Sequence, residues 1–169
     1  MSTLNVDTLQ DKAGAFEHAR LVQVVNTQTG AVATGTTVLP NDNTIPQNDE
    51  GNEFMTLAIT PTHASNKLLI QVTIILASSV NGSRLGAPLF QDSTSGALAT
   101  AGSYASNKAD TFSDITYSHY MTAGTTSSTT FKVRGGVEDA ATVTMNGEAG
   151  TRTHGGVMAS SITISEIRV

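Results

Sequence analysis

The sequence contains no cysteine and no tryptophan, and aromatic residues make up only 5% of its 169 positions. Without cysteine the chain can form neither a disulfide framework nor a reactive thiolate, so its stability must come from packing, metal or partner chains. Without tryptophan it lacks the largest aromatic surface on which a sugar ring could stack. These absences argue against a disulfide-rich secreted module and weaken any sugar-binding interpretation.

Charged residues are also scarce, at 14% of the chain. The nine Lys and Arg residues are scattered singly and the net charge is -5. Nucleic-acid binding needs clustered cations that displace counterions from phosphates, so we expect no nucleic-acid partner. No apolar run reaches the length of a membrane span, and the first residues lack the basic and apolar regions of a secretory signal. We therefore expect no membrane partner and no Sec export.

Threonine and serine are the residues present in excess. There are 26 Thr, 16 Ser and 15 Gly, so Thr and Ser make up about a quarter of the chain. Threonine favours pleated, half-exposed backbone, whereas glycine and serine favour turns. The composition therefore predicts an all-β protein.

Period-two alternation of apolar residues locates the strands. In "EFMTLAITP" the residues Met55, Leu57 and Ile59 share one face. "NKLLIQVTIILASS" is apolar on both faces for part of its length, which is typical of a central strand. One face of this stretch is predicted to carry Ile70, Val72, Ile74 and Leu76.

Further strands are predicted at "RLVQVVNTQTG", "RLGAPLFQD", "DITYSHYMTAG", "STTFKVRGG", "ATVTMNG" and the C-terminal stretch. Eight to ten short strands separated by turn residues predict an antiparallel β-sandwich with a jelly-roll-like arrangement over residues 21–169. Residues 1–20 read as a short extended N-terminal arm. Leu4, Val6 and Leu9 are its candidate anchoring residues, because an alternating segment can add a strand to a neighbouring sheet edge.

The last stretch, "SSITISEIRV", changes phase before it ends. Ile162 and Ile164 share one face, on which strict alternation would also place Glu166. A β-bulge near Ser165–Glu166 would return Ile167 and Val169 to the core face and leave Glu166 in water. Alternatively, Ile167 and Val169 lie on the opposite face and contact another subunit. Both interpretations stay open at this stage.

Few residues carry a recognisable chemistry. The four histidines (His18, His63, His119 and His154) lie in different segments without a metal-ligand spacing, and His119 shares a strand face with Ile115, Tyr117 and Met121. The acidic loop 41–53 gathers Asp42, Asp49, Glu50 and Glu53, so calcium binding there stays open, although the residue order of a known calcium loop is missing. We therefore predict no catalytic, cofactor or metal site.

Several blocks of the sequence resemble a known family. "MSTLNVDTLQDKAG", "FMTLAITPTHASNKLLIQV", "HYMTAGTTSSTTFKVRGG" and "GGVMASSITISEI" resemble small virion proteins of tailed bacteriophages, especially phages of marine bacteria, described as tail-fibre or minor structural proteins. The resemblance implies a β-sandwich module, a homotrimer, assembled on the phage particle in the host cytoplasm. It brings no active-site residues.

Three function classes follow. The first is a structural accessory, either a capsid decoration protein or a short fibre, whose partners are its own copies and phage capsid or tail proteins. The second is a receptor-binding fibre domain that recognises host surface glycans. The third, a polysaccharide-degrading enzyme, has least support. The aromatic residues Tyr104, Phe112, Tyr117 and Tyr120 could line a subunit interface or a receptor surface. We prefer the structural accessory.

Overall fold

A computed structural model describes residues 20–104 and 108–169. This part of the chain forms β-strands with one short 3₁₀ turn, His154–Gly156. The strands are Arg20–Thr29 (β1), Ala33–Gly35 (β2), Asn52–Ile59 (β3), Lys67–Ser78 (β4), Arg84–Gly86 (β5), Leu89–Gln91 (β6), Gly102–Tyr104 (β7), Phe112–Thr122 (β8), Thr129–Val137 (β9), Val143–Met145 (β10), Gly147–Glu148 (β11), Thr151–Arg152 (β12) and Ser160–Arg168 (β13). Within the described residues, no helix is long and apolar enough to cross a membrane.

The strands form two main antiparallel sheets. In the first, β1, β13, β4 and β8 lie side by side, and β10 and β2 continue the sheet beside the last residues of β4. In the second, β9 pairs with β3 on one side and with β6 and β5 on the other, and β7 follows β5. The predicted antiparallel β-sandwich is confirmed.

Alternation places the core between the two sheets. The predicted inward face of β4 is completely buried, and so are Met55 and Ile59 of β3. Phe131 and Val133 of β9, in the same sheet as β3, pack into this cluster. Ile162 and Ile164 of β13, in the same sheet as β4, complete it. Burial of each such side chain contributes about 1.5–3 kcal/mol, which offsets the entropy lost on ordering the strands.

Two predictions, one on the number of strands and one on the extent of a strand, were wrong. The described part contains thirteen strands, more than the expected eight to ten, because several have only two or three residues. The segment "RLGAPLFQD" forms two strands, β5 and β6, with Ala87 and Pro88 between them. Proline has no N–H to donate to a ladder, so it divides this segment.

Gly136 explains how the loop before β3 approaches β9. A Cβ on Gly136 would lie 2.6 Å from Leu39 Cβ and 3.0 Å from Gly51 Cα. The loop is held there by a hydrogen bond from Leu39 N to Val137 O, 2.9 Å long. Gly136 therefore allows close packing of the loop against the strand.

The C-terminal strand corrects the bulge prediction. β13 pairs with β4 without interruption from Ser161 to Ile167. The irregularity lies on the neighbouring strand instead, between Leu21 and Gln23 of β1. Because β13 keeps its alternation, Glu166 points inward and Ile167 points to the opposite face. The bulge interpretation, in which Glu166 stays in water, is wrong. The alternative is confirmed for the opposite-facing position of Ile167, and its contact with another subunit stays a prediction.

Candidate functional site

The predicted anchoring residues Leu4, Val6 and Leu9 lie outside the described residues, as does His18. Their role stays a prediction. The point at which the arm joins the sandwich is described, because β1 begins at Arg20.

The described histidines lie in three separate places. His63 Nδ1 is 2.8 Å from Ser65 Oγ, and His154 contacts the edge of Phe112 with ring centroids 5.9 Å apart. His119 lies opposite Ile70 on the inward face of β8, as the alternation predicted. Among the described residues, no three His, Asp or Glu side chains group in a way that could hold a metal ion.

The carboxylates of the acidic loop have separate partners. Asp42 accepts hydrogen bonds from the hydroxyl and the amide of Thr44, at 2.6 and 2.7 Å, and these bonds lower the pKa of Asp42. Glu50 accepts a bond from the amide of Gln47, whereas Glu53 lies 3.7 Å from Lys132 on β9. Asp42, Glu50 and Glu53 thus contact different parts of the loop and the neighbouring strand.

The most unusual polar group is Glu166, whose exposed fraction is 0%. It continues the inward row of Ile162 and Ile164, at the end of β13 where the two sheets meet the loop between β3 and β4. A carboxylate in this position must receive hydrogen bonds or lose its charge, because removing it from water is costly.

Five hydrogen bonds reach the Glu166 carboxylate. Oε1 accepts from Asn66 Nδ2 at 2.5 Å, from the amide and hydroxyl of Thr62 at 2.8 Å each, and from the His63 amide at 3.4 Å. Oε2 accepts from Gln23 Nε2 at 2.6 Å. The donors come from β1 and from the loop between β3 and β4. One carboxylate therefore holds three segments together.

These donors determine the ionisation state of Glu166. Burial alone would raise its pKa, but the bonds from Asn66, Gln23 and Thr62 outweigh burial and lower the pKa to about 2. The carboxylate is thus ionised at neutral pH, and its donors are neutral amides and a hydroxyl. A group that is already ionised, with its lone pairs occupied, is suited to holding structure rather than to exchanging protons.

A groove of about 640 Å³ adjoins this cluster. Two of its residues, Arg20 and Arg168, lie opposite each other on β1 and β13. Its apolar part is exposed, and the residues that contribute it are Leu21, Val22 and Val169. Thr62, His63 and Asn66 form the wall shared with the Glu166 cluster. The groove thus lies where the arm joins the sandwich, and its wall is fixed by the buried carboxylate.

Sequence reasoning noticed Glu166 but left two interpretations open, and only the bulge placed it in water. The available signal was its position in the apolar row of "SSITISEIRV", together with the polar residues of "TPTHASNK". The donors Asn66 and Gln23 are 100 and 143 residues away along the chain. Their convergence is a property of the sheet order, which the local pattern does not contain.

No protein-family model and no curated protein matches the chain. A solved structure of the TNF Eiger from S. frugiperda is 10% identical, covers 88% of this chain and 94% of that chain, and has a TM-score of 0.48. The C-terminal domain of EclA, described as a sugar-binding protein, is 16% identical over 96% of this chain and 89% of that chain, with a TM-score of 0.34. VP2 of the infectious bursal disease virus subviral particle is 14% identical over 98% of this chain and 42% of that chain, with a TM-score of 0.38. These likenesses assign neither a partner nor an activity to this chain.

Proposed function

We propose that this chain is a non-enzymatic structural protein of a tailed-bacteriophage particle. In this proposal it is a trimeric β-sandwich accessory, displayed on the particle surface as capsid decoration or short fibre, and it stabilises the particle through symmetric contacts. The sequence blocks that resemble phage virion proteins support this proposal, and the β-sandwich fold is compatible with it.

The observation that carries the proposal is the position of β1. This strand pairs with β13 alone among the described strands, and it begins where residues 1–20 join the sandwich. An edge strand has backbone N–H and C=O groups that can pair with another chain. The exposed side chains of Leu21 and Val22 add apolar surface at the same place. This end of the sandwich is thus suited to attachment, and the arm residues Leu4, Val6 and Leu9 are proposed as the anchor.

Particle incorporation tests the proposal. We expect deletion of residues 2–16, or replacement of Leu4, Val6 and Leu9 by serine, to abolish incorporation while leaving a folded protein. A matched control replaces Thr3 and Asn5 by alanine, since these residues lie on the other side of the alternation from Leu4 and Val6. Quantitative mass spectrometry of purified particles gives the copy number, in which hundreds of copies indicate decoration and tens indicate a fibre. Full occupancy by the deletion variant would contradict the anchor.

A receptor-binding domain is the second candidate, and one observation favours it. Tyr104 and Phe112 are exposed aromatic residues at the end of the sandwich opposite the groove, where Phe112 contacts His154. Exposed aromatic rings can stack on sugar faces. A glycan array would show reproducible binding that is lost in Tyr104→Ala and kept in Tyr120→Ala, since Tyr120 is equally exposed but lies on a sheet face.

A further inference from the structure

We propose that the outer face of the sheet formed by β1, β13, β4 and β8 binds the same face of further copies of this chain. The inference rests on the proposed self-association and names the surface that carries it. The outer face consists of the side chains that point away from the core, such as Leu69, Gln71, Thr73 and Ile75 of β4, together with their cross-strand neighbours.

Charge is absent from the outer face except at its two ends. Lys67 lies at one end, where its Nζ donates to Thr122 Oγ1 at 2.6 Å, and Asp114 lies opposite Ile75 at the other end. Between these two levels, the outward residues of the four described strands are uncharged. In a chain of net charge -5, copies repel one another over most of their surface. The outer face is where they approach at least electrostatic cost, and interface centres are typically depleted of charge.

One row across the strands of the outer face carries three side chains with large apolar surface, those of Val24, Leu69 and Tyr120. Val24, Ser165, Leu69 and Tyr120 are successive partners in the sheet register. Val24 and Tyr120 are 50% and 55% exposed. Tyrosine is enriched at protein interfaces because it buries a large apolar area and keeps a polar end. This row supplies the apolar contact that association needs.

Polar residues in the rows beside this one already form side-chain hydrogen bonds to one another within the outer face. Asn26 Nδ2 donates to Thr163 Oγ1 at 2.8 Å, and Thr116 Oγ1 donates to Thr73 Oγ1 at 3.2 Å. Groups that keep such bonds can be covered without an unsatisfied polar atom. Gln71, at the centre of the face, has no side-chain hydrogen bond to another described residue, so its amide is available to a partner.

A second copy fits this surface better than an unrelated protein. When copies pack with their strands in the same direction, the row from Val24 to Tyr120 meets the same row of the other copy. The row that contains Asn26 and Gln71 likewise meets its own counterpart. The outer face spans four strands about 4.8 Å apart and eight residue steps of about 3.3 Å, a projected area of roughly 500 Å². Because side chains make the surface uneven, its accessible area is larger than its projected area and approaches the ~800 Å² per partner of a stable interface.

The test uses the isolated full-length protein, in which particle attachment plays no part. Light scattering after size-exclusion chromatography is expected to give a multiple of the 17.5 kDa chain mass. We expect Gln71→Lys to weaken the assembly about tenfold or more, because like charges then meet at the centre of the interface. Ser118→Lys, on the adjacent strand, is the second variant should Gln71→Lys perturb the fold. Ile45→Lys is the control, since Ile45 is 63% exposed and lies outside the outer face.

A second measurement uses the absence of cysteine. A single Gln71→Cys variant treated with a short bismaleimide is expected to give cross-linked chains, whereas Ile45→Cys is not. A wild-type monomer at concentrations up to about 100 μM would overturn the proposal. So would an assembly that Gln71→Lys and Ser118→Lys leave intact, or one that Ile45→Lys weakens equally. Intact assembly in solution without incorporation into particles would contradict the proposed function and leave this inference standing.

Discussion

Replacing the buried carboxylate of Glu166 by an amide is the perturbation on which the structure makes its strongest prediction. Glu166→Gln keeps the shape of the side chain but removes the charge and one acceptor oxygen. Its new NH₂ group must then face a donor, either Gln23 Nε2 or the set formed by Asn66 and Thr62. The variant therefore loses charge-assisted bonds and gains a donor–donor conflict.

The magnitude follows from the ionisation of Glu166. Its pKa is held at about 2 instead of the ordinary 4.5, which corresponds to about 3 kcal/mol of stabilisation at neutral pH. Solvent in the groove beside the cluster partly screens the charge of Glu166, which reduces the figure. We expect Glu166→Gln to lower the free energy of unfolding by about 1–3 kcal/mol at pH 7.

The stabilisation that Glu166 provides should decrease as the pH falls. Because the folded pKa of Glu166 lies below the unfolded one, the unfolded chain takes up this proton first as the pH falls. The stabilisation is thus complete above about pH 5 and is lost progressively towards pH 2. Glu166→Gln has no such proton to bind. The difference in unfolding free energy between wild type and variant should therefore shrink as the pH is lowered.

Urea unfolding followed by circular dichroism at several pH values measures this difference. Glu53→Gln is the matched control, because Glu53 is an exposed strand glutamate that lies 3.7 Å from Lys132. We expect it to change stability by less than about 0.5 kcal/mol. The reasoning is refuted when Glu166→Gln is as stable as wild type at pH 7, or when its deficit stays constant down to pH 2.

Two further predictions concern packing between segments. Gly136→Ala should destabilise the fold by about 1–3 kcal/mol, because its Cβ would lie 2.6 Å from Leu39 Cβ. Gly96→Ala is the control, with its nearest contact at an ordinary 3.4 Å, and equal effects in thermal unfolding would disprove the packing argument. Tyr117→Phe should cost about 0.5–1.5 kcal/mol, because the Tyr117 hydroxyl donates to Ala87 O at 2.6 Å. An unchanged midpoint in urea would show that this bond contributes nothing.

The sequence predicted those features that depend on residues close together in the chain. The alternation of β4 identified its buried face because successive side chains of a strand point to opposite sides. The apolar residues on both faces of β4 also predicted its central position, which the pairing with β13, β8 and β10 confirms. The division of the segment "RLGAPLFQD" at Pro88 could have been predicted, since proline interrupts the hydrogen bonds between strands. The apolar residues on either side of it favoured one continuous strand instead.

The sequence pattern predicted less about the candidate site around Glu166. A glutamate in an apolar row has two outcomes, exposure through a bulge or burial with partners. The choice depends on whether donors lie within about 3 Å of the carboxylate. The sequence also did not show which strand carries the bulge, because the extra residue could lie on β13 or on its neighbour β1. Local pattern does not distinguish the two strands.

By itself, the sequence determined an all-β chain, the face that each long strand buries, and the scarcity of charge, since composition and period-two alternation act residue by residue. Only the tertiary structure decided that Glu166 is buried and ionised, and that an uncharged sheet face is left uncovered by the described residues. Both depend on which strands become neighbours. That order is set by the packing of the whole sandwich, which brings Gln23, Asn66 and Glu166 together from distant parts of the chain.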